Sequence, residues 1–166
     1  MKKRIAKISA LVCIMALVLT VIFAMTACGE SGTKYTYSDT NVEMTGDLGG
    51  EGGNDNLKTM YDAMYKSSSI TVSESKIVWK ISDVESTMTV KKDGDKYVLS
   101  GEYVDQMKTA LSAGVGGISG AGLSVSFDMY GTETENGFDI VMKTSSTSSG
   151  AGSFSMSTVL TISFIK

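Results

Sequence analysis

From Ser67 onward, apolar residues fall at every second position, and short polar breaks separate the runs. Ile77, Trp79 and Ile81 alternate with Val78, Lys80 and Ser82, and Met88 and Val90 alternate with threonines. Leu123, Val125, Phe127 and Met129 alternate with Ser124, Ser126 and Asp128. Phe138, Ile140 and Met142 repeat the pattern, as do Phe154, Met156, Leu160, Ile162 and Phe164. Period-two alternation describes a strand with one buried face and one wet face. Asp93-Gly94 and Asn136-Gly137 sit between such runs and predict hairpin turns. Tyr97, Leu99 and Tyr103 are assigned to the strand after the first of these turns.

Earlier in the chain, Lys34 to Met44 reads as a first strand, carrying Tyr35, Tyr37, Val42 and Met44. Leu57, Met60, Tyr61, Met64 and Tyr65 then switch to helical spacing, with Asn54 or Asp55 as the N-terminal cap. Asp105 to Gly122 interrupts the strands with a helical turn over Gln106 to Leu111 and a glycine-rich loop. The sum is an all-β chain of about seven or eight antiparallel strands in sequence order, with one short helix after the first strand. A sheet of that size leaves edges exposed unless it closes, so the predicted architecture is a closed or nearly closed barrel.

The N-terminal segment follows different rules. Met1 to Lys7 is basic, and Ile8 to Met25 is almost wholly apolar. Met25-Thr26-Ala27-Cys28 ends this run, and Gly29-Glu30-Ser31-Gly32 follows abruptly. The segment reads as a signal peptide, and its end resembles a bacterial lipobox. That resemblance implies cleavage between Ala27 and Cys28 and a diacylglyceryl group on the Cys28 sulfur. The expected organisation is a leader over 1–27, a lipidated tether over 28–33 and one domain over 34–166. The expected location is the extracytoplasmic face of a cell membrane.

Charge and composition narrow the chemistry. The chain has 15 basic and 18 acidic residues, but Lys2, Lys3, Arg4 and Lys7 all belong to the leader. The remainder carries 11 against 18, a poor match to nucleic acid or to anionic lipid headgroups. There is no histidine, so the commonest general base and metal ligand are missing. Cys13 and Cys28 are the two cysteines, and both precede the domain. Gly114 to Gly122 lacks the Gly-Lys-Ser/Thr ending of a phosphate loop, and Glu43, Asp47, Glu51 and Asp55 lack calcium-loop spacing. No cofactor, metal site or catalytic group is expected, and the protein is read as a non-enzyme.

What remains is the inward face. Trp79, Met88, Phe127, Met129, Phe138, Met142, Phe154 and Phe164 are adaptable apolar groups suited to lining a small apolar ligand. The same residues can also simply fill a small barrel. Two functions lead on this pattern: a tethered binding module for a small apolar ligand or an envelope component, or a structural and interaction protein with a filled core. A third, an envelope hydrolase, would require a carboxylate pair that nothing in the sequence singles out. The layout resembles small lipocalin-like lipoproteins of Gram-positive bacteria. The matching stretches are Met25 to Gly29, Lys34-Tyr35, Lys92-Asp93-Gly94-Asp95-Lys96-Tyr97 and Leu160-Thr161-Ile162-Ser163-Phe164-Ile165-Lys166. Lys34 to Met44 lacks the tryptophan that lipocalins carry on their first strand.

Overall fold

A computed structural model describes residues 32–46, 53–116, 122–149 and 153–166. Eight strands lie in the order β1 (Thr33–Gly46), β2 (Ser69–Val72), β3 (Lys76–Ile81), β4 (Val84–Asp93), β5 (Lys96–Ser100), β6 (Gly122–Glu133), β7 (Gly137–Ser149) and β8 (Phe154–Ile165). Each pairs antiparallel with the next, and β8 returns to β1, which closes the barrel. The expected meander is therefore present with eight strands. This architecture is consistent with a lipocalin-like fold.

The alternation sets which residues fill the barrel. Ile70, Ile77, Trp79, Met88, Phe138, Ile140 and Ile162 have no exposed surface. On β1 the parity slips once: the register with β8 shifts between Tyr37 and Asp39. Tyr35 and Tyr37 point inward before this bulge, and Thr40 and Val42 do so after it. The β4–β5 turn is Gly94-Asp95, one residue later than the Asp93-Gly94 reading, with Gly94 at φ 60° and Asp93 paired to Lys96. Glycine in the first loop position suits the right-handed twist of the two strands.

Two helices are inserted into the meander. Helix α1 (Gly53–Tyr65) follows β1, and α2 (Glu102–Gly116) follows β5. The first begins before Asn54, so Asn54 is not a cap; its Oδ1 instead accepts from the Met44 N–H at 3.2 Å. The second corrects the expectation of a single turn over Gln106–Leu111, and it moves Tyr103 from a strand to a helix. Glu102 and Asp105 lie in its first turn, where carboxylates oppose the positive end of the helix dipole.

Both helices cover one end of the barrel. Tyr61 stacks on Tyr65 with centroids 6.1 Å apart, and Tyr65 stacks on Trp79 at 5.3 Å. Tyr103 meets Trp79 from α2, edge to face, at 6.0 Å. Val104 and Met107 complete the cover. Burial pushes the hydroxyls of Tyr61 and Tyr103 up to about 12, and that of Tyr65 well above its ordinary value. A polar clasp fixes α1 to β1. Lys58 Nζ donates to Asp39 Oδ1 and to the Thr40 carbonyl, each at 2.6 Å, and to Asp62 Oδ2 at 3.0 Å. The Tyr37 hydroxyl donates to Asp62 and lies 3.0 Å from Thr40 Oγ1.

Candidate functional site at the open end of the barrel

The opposite end holds the start of β1, the end of β8 and three turns: β2–β3, β4–β5 and β6–β7. No helix among the described residues covers it. A half-open cavity of about 500 Å³ lies there, lined by Thr33, Tyr35, Val72, Ser73, Glu74, Lys92, Tyr97 and Glu133. This volume falls in the range of small-ligand sites, roughly 300–1,000 Å³.

Strand parity places the two tyrosines. Tyr35 lies between exposed Lys34 and Thr36, and Tyr97 between exposed Lys96 and Val98, so both rings turn inward. Phe138 forms the floor beneath them, 6.1 Å from the Tyr35 ring and 5.5 Å from the Tyr97 ring. Lys92 faces Tyr97 across the β4–β5 pair. Its Nζ lies 5.2 Å from the ring centroid and donates to the Tyr97 hydroxyl at 3.4 Å. Burial, and then a hydrogen bond to Glu133, raise the Tyr97 hydroxyl above its ordinary value. The hydroxyl is thus shared between an ammonium and a carboxylate. Glu74 enters the lining from the β2–β3 turn, whose Ser73 N–H donates to the Lys76 carbonyl at 2.9 Å. Lys166 Nζ sits 5.9 Å over the Tyr35 ring. The mouth therefore combines two aromatic walls, two carboxylates and two lysines, and it can contact both signs of charge on one small molecule.

Most of the ligand-lining residues expected from the sequence gather in the interior, and one of them, Phe138, also floors the mouth. Trp79, Met88, Met129, Phe138, Met142 and Phe164 come together in the packed interior. Trp79 meets Phe164 edge to face at 6.1 Å. Phe127 is half-buried against this core. The Phe154 side chain and Cys28 lie outside the described residues. Of those whose side chains are described, none is among the residues lining the cavity, and Phe138 lies directly beneath it. Among the described residues, no three of His, Cys, Asp and Glu gather as a metal site.

Sequence reasoning passed over Glu74, Lys92 and Glu133 because each is a lone polar residue near a turn. The one available signal was that Lys34-Tyr35 and Lys92 to Tyr97 carry tyrosines at inward parity beside lysines. Comparison with protein-family models, with curated proteins and with solved structures gives no match. The chain is thus placed by its architecture alone, an eight-stranded antiparallel barrel closed between its first and last strands.

Proposed function

We propose that this protein is a lipid-anchored, extracytoplasmic binding module whose ligand occupies the open mouth of the barrel. The leader over 1–27 directs export, Cys28 carries the lipid, and the barrel is displayed outside the membrane. The observation that carries the binding role is the asymmetry of the barrel. One end is covered by α1 and α2, and the other opens into a cavity of about 500 Å³ with mixed aromatic and charged walls. The anchor is supported by Met25-Thr26-Ala27-Cys28 standing five residues before β1. The absence of histidine, and the commitment of Cys28 to lipid, favour a non-enzymatic role.

Intact-mass analysis of membrane-extracted protein tests the anchor. The expected species begins at Cys28 and carries a diacylglyceryl group, and Cys28→Ser is expected to leave the precursor uncut. Normal processing of that variant would sink the lipoprotein reading. A second reading is a structural and interaction lipoprotein without ligand, and the packed interior around Trp79 and Phe138 favours it. Native mass spectrometry separates the two: a bound small molecule supports the first, and its consistent absence supports the second.

A further inference from the structure

We propose that the mouth of the barrel faces the bilayer and receives the zwitterionic headgroup of a membrane amphiphile. This rests on the lipid-anchor reading of Cys28 and adds an orientation and a ligand chemistry to it.

The orientation follows from reach. Gly32 sits on the mouth rim, where a Cβ would collide with Val72. Four residue steps separate it from Cys28, so the covalent chain allows at most about 14 Å between them. Strand β4 runs from the far end to the mouth in ten residues, about 30 Å of strand. With the usual barrel tilt that is roughly 23 Å along the axis. The leash is too short to bring the helix-covered end to the membrane while Cys28 stays in it.

The rim suits such a place. Ile165, beside the mouth, is 47% exposed and is one of two large apolar side chains so exposed among the described residues. Lys166 follows it, Lys34 stands on the neighbouring β1, and Lys96 lies across the rim at the start of β5, each exposed with a long stem and a charged tip. Tyrosines and snorkelling lysines are the residues that settle at a membrane–water interface. Inside the mouth, Lys92 can take a phosphate, while Glu74 and Glu133 can take an ammonium. Both charges of one headgroup are thereby matched.

The mature lipoprotein, reconstituted in phosphatidylcholine vesicles with a headgroup-nitroxide lipid, provides the test. Two variants each carry one new thiol for a fluorophore: Asp95→Cys in the β4–β5 turn at the mouth, and Asp83→Cys in the β3–β4 turn at the far end. Quenching several-fold stronger at position 95 is expected. Equal quenching, or stronger quenching at 83, overturns the orientation. An intact mass without the diacylglyceryl group overturns the lipoprotein reading instead. The label at 95 should also show an added emission shift in phosphatidylcholine that is missing in phosphatidylglycerol vesicles. That shift should vanish when Glu74→Gln and Glu133→Gln are combined. The same shift in phosphatidylglycerol, or in the double variant, overturns the headgroup assignment. Soluble glycerophosphocholine that reproduces the shift in phosphatidylglycerol vesicles would assign the site to a free zwitterion, and the lipid source would fall.

Discussion

Gly131→Ala tests whether the floor of the mouth is as tightly built as the geometry implies. Gly131 lies on β6 at an inward position opposite Ile140, and its missing side chain leaves room for the Phe138 ring. A Cβ there would fall on Cζ and Cε1 of Phe138, and it would lie 3.5 Å from Tyr97 Cβ. The ring cannot simply step aside, because Phe138 is fully buried between Tyr35 and Tyr97. Overpacking of this kind costs about 1–3 kcal/mol. The φ of Gly131 is not positive, so alanine also gains about 0.4–1 kcal/mol by restricting the unfolded chain. The expected net loss is about 1–2 kcal/mol. With a urea slope of about 2 kcal/mol/M, the unfolding midpoint should fall by about 0.5–1 M. Trp79 is the chain's single tryptophan and is fully buried, so its emission reports the transition. Phe138→Leu in the same background should recover part of the loss, with a coupling of about 1 kcal/mol in the double-mutant cycle. A Gly131→Ala midpoint equal to or above that of the parent, at unchanged slope, would refute the packing argument.

Two further predictions concern titration. Tyr61 and Tyr103 are held up to about 12 by burial, and Tyr65 is raised well above its usual range, so these groups stay protonated in the fold after they ionise in the unfolded chain. The unfolded state then binds fewer protons, and stability should fall from pH 10 toward 12 by up to about 1.4 kcal/mol per pH unit per tyrosine. Tyrosinate absorbance that rises before Trp79 emission changes would contradict this. In the α1 clasp, hydrogen bonds from Lys58 and Tyr37 hold the carboxyls of Asp39 and Asp62 below their ordinary range. Their contribution is present above the unfolded value near 4 and is lost as pH falls through the lowered folded values. Lys58→Met should remove the Asp39 part of that acid-side dependence and leave the part Tyr37 gives Asp62, while costing at most about 1 kcal/mol near neutrality, because the clasp is largely exposed. Parallel acid-unfolding curves for parent and variant would count against the clasp.

The strands were legible because alternation is a local property: Trp79 between Val78 and Lys80 carries its own orientation. Helix α2 was half legible. Tyr103, Val104 and Met107 have helical spacing, but Tyr103 also continues the period of Tyr97 and Leu99. Gly101 decides between the two readings, since its φ of 117° ends the strand and re-aims the chain. The glycines after Ser112 conceal the helix's length, because glycine weakens helical propensity without forbidding it. The mouth was not legible. Thr33, Val72 with Glu74, Lys92 and Glu133 come from four separate stretches, and only the closed register brings them together. The inward face of the barrel was read correctly as apolar, but how much free space it encloses depends on packing that no single stretch encodes.

The seam of the barrel also governs when it can form. β1 and β8 pair from Thr36 with Ile165 through to Gly46 with Met156, so the first strand of the barrel to emerge from a ribosome has its partner in the last strand of the barrel. β2 offers β1 only four pairs, from Thr33 with Val72 to Thr36 with Ser69. Until β8 is synthesised, most of β1 has no strand to pair with, and β7 lacks its second neighbour. Closure over that sequence separation is intrinsically slow. A barrel closed by its first and last strands stays open until β8 is made, so the export proposed above would meet a chain whose barrel is not yet sealed.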